Sequence, residues 1–263
     1  MKVIQAESAG FCYGVERAVR LAEETAQKLG GCVMLGSIIH NAHVVRNLEA
    51  MGGRCVSSVE EIQPGDTVII RSHGERKEVF DRLAQLGVQC VDATCPNVRR
   101  IQQLVAKADK EGRIPVIIGE EHHPEVIGVA SWSKRSLIFE TPEKLQKWLD
   151  SAPENHLLPI TAMAQTTCVR SLWETSSKIL KKECTNAELF DTICNATQRR
   201  QSEAAQLAAM VDVMVVVGDR KSANTQHLTE ICSERCPHVY QIEGASELEP
   251  NFLKGCSVAG LTA

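Results

Sequence analysis

Six short runs with apolar centres punctuate the chain: "CVMLG" (32–36), "TVIIRSHG" (67–74), "IPVIIGEE" (114–121), "LLPITAMAQTT" (157–167), "VMVVVGD" (213–219) and "CSVAGLTA" (256–263). A strand wetted on one face alternates apolar and polar residues, so runs this uniformly apolar must be covered on both faces. Segments with helical periodicity at 15–29, 97–111, 169–182 and 199–211 lie between them and can supply that cover. The alternation predicts an α/β fold with mainly parallel sheets. With 263 residues and 43% apolar content, the chain can bury a substantial core and is not a candidate for disorder.

A formal charge of −4 and a pI near 6.1 give no electrostatic case for a nucleic-acid partner. Any affinity for phosphate must come from a few placed residues. No window approaches the roughly 18 apolar residues of a membrane span, and the start "MKVIQAESAG" lacks the apolar stretch of a secretory signal. A soluble cytoplasmic protein is expected. In a reducing compartment, eleven cysteines argue for thiols and ligands rather than a disulfide framework.

Three of those cysteines stand apart. "CYGVER" (12–17), "CPNVRR" (95–100) and "CNATQR" (194–199) each place Arg five residues after Cys, which none of the other eight does. Two share a longer frame, "DATC" at 92–95 and "DTIC" at 191–194. Each opens a helical pattern, and the spacing suits three similar α/β units: 1–93 with Cys12, 94–190 opened by Cys95, and 191–263 with Cys194. In "TCPNV" the proline fits the first helical position, which puts Cys95 at the cap. A thiol there faces the positive end of the helix dipole, which favours the metal-binding thiolate. The arginines either add positive charge or form a solvated helix face.

Three thiolates suit a tetrahedral zinc site, a nucleophile with two bystanders, or an iron–sulfur cluster. The close pair Cys232 and Cys236 in "CSERC" has no partner pair or ligand-spaced histidines beside it and reads as structural, as do Cys32, Cys55, Cys90, Cys168, Cys184 and Cys256. A cluster with only three cysteines leaves one iron open to a substrate oxygen. The polar residues after the apolar runs are His40, His73, His123 with Glu125, Thr166, and Ser222 with Asn224. Ligands of open α/β sheets bind outside the carboxyl ends of strands, and imidazole, hydroxyl and amide donors suit a diphosphate without large net charge. Glu125, beside an iron-bound hydroxyl, would be a proton source.

With those residues in view, the chain resembles the 4-hydroxy-3-methylbut-2-enyl diphosphate reductase family. The resemblance rests on "GFCYGVERA", "HNAHVV", "SHG", "DATCP", "HPEVIG", "AQTT", "DTICNAT", "RQ" and "SANT", in family order from residue 10 to 225. It implies three α/β domains in a trefoil around a 4Fe-4S cluster held by Cys12, Cys95 and Cys194. It further implies that His40, His73, His123, Ser222 and Asn224 surround the substrate diphosphate, with Glu125 and Thr166 near the hydroxymethyl end. The family reaction is a reductive dehydroxylation with two electrons and two protons, giving isopentenyl and dimethylallyl diphosphate, and its electrons come singly from a ferredoxin or flavodoxin. Two departures stand out: Ala223 replaces a serine the family often carries, and "GLTA" ends where the family continues toward another phosphate-binding serine, so the third unit reads as C-terminally truncated. The competing readings are a redox-neutral hydro-lyase of the aconitase type, an iron–sulfur sensor, and a cysteine hydrolase with Cys95 as nucleophile.

Overall fold

The structure, a computed structural model, describes residues 1–263. Its strands are β1 (Lys2–Gln5), β2 (Val33–Leu35), β3 (Arg54–Val56), β4 (Thr67–Ile70), β5 (Gln89–Asp92), β6 (Ile114–Ile118), β7 (Leu137–Phe139), β8 (Ile160–Ala164), β9 (Ala187–Phe190), β10 (Val213–Val217), β11 (Val239–Ile242) and β12 (Val258–Thr262). The helices are α1 (Tyr13–Leu29), α2 (Ala42–Ala50), α3 (Lys77–Leu86), α4 (Pro96–Lys110), α5 (Pro124–Ala130), α6 (Pro142–Asp150), α7 (Arg170–Glu183), α8 (Asn195–Ala208) and α9 (Ala223–Ser233). None is long and apolar enough to cross a membrane.

The strands form three four-stranded sheets, all with parallel pairing. Their orders are β3-β2-β4-β5, β7-β6-β8-β9 and β11-β10-β12-β1. The first two are the same arrangement displaced by four strands. The third repeats it with β1 in the last place, so the N-terminal strand completes the sheet made by the C-terminal third of the chain. Residues 2–5, which a division in chain order assigns to the first unit, therefore pair with β12 from Lys2↔Val258 to Gln5↔Leu261.

The apolar runs occupy the inner strands for the reason their composition suggests. In the first sheet, Val33, Leu35, Val68 and Ile70 enter one core, while Met34 and Ile69 enter another with Ala18, Ala22 and Ala26 of α1. In the second, Val116, Ile118, Ile160 and Ala162 face the α6 and α7 side, whereas Ile117 and Met163 pack with Val98, Ile101 and Val105 of α4. Successive residues point to opposite faces and both faces are covered, so these strands are almost wholly apolar; Thr161 of β8, buried, has its hydroxyl satisfied by accepting from Arg113 Nε at 2.8 Å.

The chain forms two compact bodies. Tyr13–Ile39 and His43–Ile193 make the larger, which holds the first and second sheets. The smaller comprises Met1–Cys12, His40–Ala42 and Cys194–Ala263 and holds the third sheet.

Candidate functional site

The repeated strand order gives the singled-out residues equivalent places. Cys12, Cys95 and Cys194 each follow an edge strand, β1, β5 or β9, and each directly precedes a helix, α1, α4 or α8. The other residues follow inner strands: His40 after β2, His73 after β4, His123 and Glu125 after β6, Thr166 after β8, and Ser222 with Asn224 after β10. The larger body carries His73, Cys95, His123, Glu125 and Thr166; the smaller carries Cys12, His40, Cys194, Ser222 and Asn224.

In the larger body, His123 is the N-cap of α5 and Pro124 starts the helix, which brings Glu125 into its first turn. The His123 Nδ1 accepts from the Glu125 backbone N–H at 3.0 Å. An accepting Nδ1 assigns the ring proton of neutral His123 to Nε2, making that nitrogen the donor. The His73 ring lies edge-on to it, with centroids 5.6 Å apart and planes at 74°.

Glu125 is 2% exposed. The Thr166 N–H donates to Oε1 at 2.7 Å and the Thr166 hydroxyl donates to Oε2 at 2.6 Å. Burial pushes the carboxyl up to about 7, against the lowering effect of the two Thr166 bonds and with a further push from Glu120. An N–H can only donate, so Oε1 stays an acceptor; a hydroxyl can reverse its role, so Oε2 is the oxygen that can carry the proton. A carboxyl that titrates near neutral pH and is clamped at both oxygens is suited to general-acid work.

The same shift makes a stability prediction. The folded carboxyl keeps its proton to about pH 7, whereas an ordinary one releases it near 4.5. The proton's contribution to stability is therefore complete below about pH 4.5 and is lost as pH rises through 7. Glu125→Gln, which never ionises, should match the parent at pH 4.5 and exceed it at pH 8 by up to about 3 kcal/mol. Thermal melts at the two pH values test this, and an equal difference at both would contradict the burial cost.

The loop that carries His73 is braced from below. Arg71 and Glu75 pair at 2.7 Å, and the Cys95 N–H donates to the Ser72 carbonyl at 2.9 Å, tying the start of α4 to this loop. Gly74 has φ +73°, and a Cβ there would lie 2.7 Å from Gln102 Nε2 and 3.2 Å from Thr94 Cγ2. Gly74→Ala should cost about 1–2 kcal/mol from the left-handed backbone alone, read as a lower denaturation midpoint; an unchanged midpoint would show that the loop relaxes freely.

Sequence reasoning noted the shared Asp of "DATC" and "DTIC" without giving it a task. Asp92 Oδ1 accepts from the Thr94 N–H at 2.9 Å, and Asp191 Oδ1 accepts from the Ile193 N–H at 3.2 Å. Each is a side-chain turn that shapes the approach to the cysteine. Arg99 holds the other oxygen of Asp92, and Arg170 that of Asp191. Gln165 was also missed: 1% exposed, it accepts from the Glu120 N–H at 2.9 Å and donates to the Thr167 hydroxyl at 2.9 Å, fixing the loop on either side of Thr166. The arginines five residues after the cysteines act as ties in two cases, Arg17 to the Thr94 carbonyl at 3.2 Å and Arg199 to Glu7 and Glu203.

In the smaller body, the Ser222 hydroxyl oxygen caps α9 by accepting from the Thr225 N–H at 3.4 Å, which places Asn224 in the first turn. Ala223, between them, is buried.

Cys12, Cys95 and Cys194 differ in exposure from the thiols buried in the cores. Cys95 and Cys194 are N-caps whose side chains make no capping bond, and all three marked cysteines are half-buried, open enough to meet a ligand. Cys32, Cys168, Cys184 and Cys232 lie inside the cores, where burial pushes their thiols up, to about 12 at Cys168 and Cys232. Those four are held as neutral thiols and pack as small apolar residues.

Parallel α/β sheets with polar residues at the strand ends, a buried carboxyl raised to about 7 and cysteines at helix starts define the class as an α/β enzyme. The family model described as LytB protein matches residues 3–263, and the chain belongs to that family. It is 41% identical over 271 residues to the 4-hydroxy-3-methylbut-2-enyl diphosphate reductase of Caldanaerobacter subterraneus subsp. tengcongensis, covering all of this chain and 91% of that protein. A solved structure of (E)-4-hydroxy-3-methyl-but-2-enyl diphosphate reductase, the terminal enzyme of the non-mevalonate pathway, is 37% identical with TM-score 0.70 over 100% of this chain and 93% of the other. The corresponding reductase from Plasmodium falciparum is 25% identical with TM-score 0.93, covering 99% and 82%.

Proposed function

We propose that the protein converts 4-hydroxy-3-methylbut-2-enyl diphosphate to isopentenyl and dimethylallyl diphosphate by two-electron reductive dehydroxylation, as the last step of the non-mevalonate route. Cys12, Cys95 and Cys194 would hold a 4Fe-4S cluster, and a ferredoxin or flavodoxin would deliver electrons in the cytoplasm. The names of the relatives support the substrate. When bound, such a cluster supplies single electrons and a Lewis-acidic iron. The remaining steps fall to side chains of this chain.

His40, His73, His123, Ser222 and Asn224 would bind and orient the diphosphate, with His123 donating through Nε2. Glu125 would hold the proton at Oε2 and pass it through the Thr166 hydroxyl, the more exposed of the pair at 7% against 2%. That proton lets the substrate hydroxyl leave as water. The near-complete burial of Glu125 keeps bulk water from exchanging the proton before it is used.

The observation that carries this reading is the Glu125–Thr166 clamp on a carboxyl titrating at about 7. The test is product formation by anaerobically purified protein with and without a reduced one-electron donor. Formation of both isomers only with the donor supports the reductase; donor-independent conversion would point to a redox-neutral hydro-lyase.

A further inference from the structure

Three residues tie the segment that leads to Cys12 onto the helix that begins after Cys194. After β1 ends at Gln5 the chain runs through Ala6–Phe11 to Cys12, turning at Gly10 with φ +113°. The backbone of this segment is gripped from α8. Arg200 Nε donates to the Ser8 carbonyl at 3.0 Å, and Arg200 Nη2 donates to the Gly10 carbonyl. One turn further along α8, Glu203 accepts from the Ser8 N–H at 2.8 Å and from the Ser8 hydroxyl. Arg199 joins Glu203 to Glu7 at 3.0 and 2.9 Å.

Arg200 is 8% exposed, so its guanidinium is desolvated and bonded to main-chain oxygens two residues apart. Only a rigid fork does this; a lysine ammonium is a point donor with no fixed spacing between its bonds. Arg200 and Glu203 are three residues apart on α8 and so lie on one side of it. Between them they bond the N–H, hydroxyl and carbonyl of Ser8 and the carbonyl of Gly10.

We propose that Arg200 and Glu203 are positioning residues for Cys12: they fix the Ser8–Gly10 backbone against α8, so that the Cys12 thiol is set relative to the start of that helix, where Cys194 stands, before any metal arrives. This rests on the reading that Cys12 and Cys194 are both ligands of one iron–sulfur cluster. A three-cysteine site has no ligand to spare, so a loosened Cys12 is the point from which such a cluster comes apart.

The test uses the full chain, purified anaerobically with its cluster, and compares Arg200→Lys and the milder Ser8→Ala with the parent. Arg113→Lys serves as the structural control, because Arg113 bonds the Ile160 and Asn186 carbonyls at the start of β8 and β9, the opposite end of β9 from Cys194. The readouts are the rate of iron loss to a chelator and, in metal-free protein, the alkylation rate of Cys12 relative to Cys55 in the same sample. Losing the paired charge-assisted bonds should speed iron loss by roughly tenfold in Arg200→Lys and less in Ser8→Ala, with faster Cys12 alkylation in both. Arg113→Lys should leave both rates at the parent value.

Parental rates in Arg200→Lys, or an equal acceleration in Arg113→Lys, would overturn the positioning role while leaving the cluster assignment intact. Parent protein that holds no iron overturns the cluster reading itself and the proposal with it.

Discussion

Glu125→Gln is expected to keep the cluster's absorption and to bind the diphosphate substrate as the parent does, yet to turn it over about 10³-fold more slowly, within the range of lost general-acid catalysis. The amide preserves the shape of the side chain and still accepts from the Thr166 N–H, so folding and substrate seating should survive. What disappears is the proton on Oε2. The pH profile separates this from a general disturbance. In the parent, an acid that titrates at about 7 gives a rate that falls as pH rises past neutrality. In the variant that limb should vanish, leaving a low rate with no break near pH 7. A variant with parental turnover, or one that keeps the break, would remove Glu125 as the proton donor.

Cys95→Ser should abolish activity by a different route, through iron and sulfide counts well below those of a full cluster and loss of the brown colour. A serine hydroxyl is a far poorer iron ligand than a cysteine sulfur, and a site with three protein ligands cannot compensate for one. Cys90→Ser is the matched comparison. Cys90 lies five residues earlier, within exposed β5, and has no helix start behind it, so its replacement should leave iron, sulfide and rate unchanged. Full iron content and activity in Cys95→Ser would contradict the ligand assignment.

The inner half of each sheet was legible in the sequence and the outer half was largely not. The six apolar runs are β2, β4, β6, β8, β10 and β12, which are the two inner strands of each sheet. The others are edge strands, and none shows a comparable apolar run. Their sequences explain why: "KVIQ" and "AELF" carry polar residues on exposed positions and run only four residues. An edge strand pairs on one side and faces solvent on the other, so it needs no uniform apolar run.

The capture of β1 by β12 lay outside local reasoning altogether, because no periodicity in residues 2–5 says which strand they will join. Helices α1, α4, α7 and α8 were legible from their spacing, whereas the seven-residue α5 was too short to show a period. It is nevertheless the helix that carries Glu125. The candidate site could be named residue by residue, since polar groups at the ends of apolar runs stand out. Its supports were less so. Asp92, Asp191, Gln165 and Arg200 act through backbone groups, and backbone partners leave no mark in a sequence.

The central claim is a cluster-dependent reduction, and one experiment reaches it directly. Anaerobically purified protein, assayed for iron and sulfide, is mixed with 4-hydroxy-3-methylbut-2-enyl diphosphate and a reduced one-electron donor, and the products are followed. The account predicts bound iron and sulfide in near-equal amounts and the appearance of both isopentenyl and dimethylallyl diphosphate. Colourless protein that forms no cluster on reconstitution, or a cluster-loaded protein that leaves the substrate untouched in the presence of reductant, would contradict it.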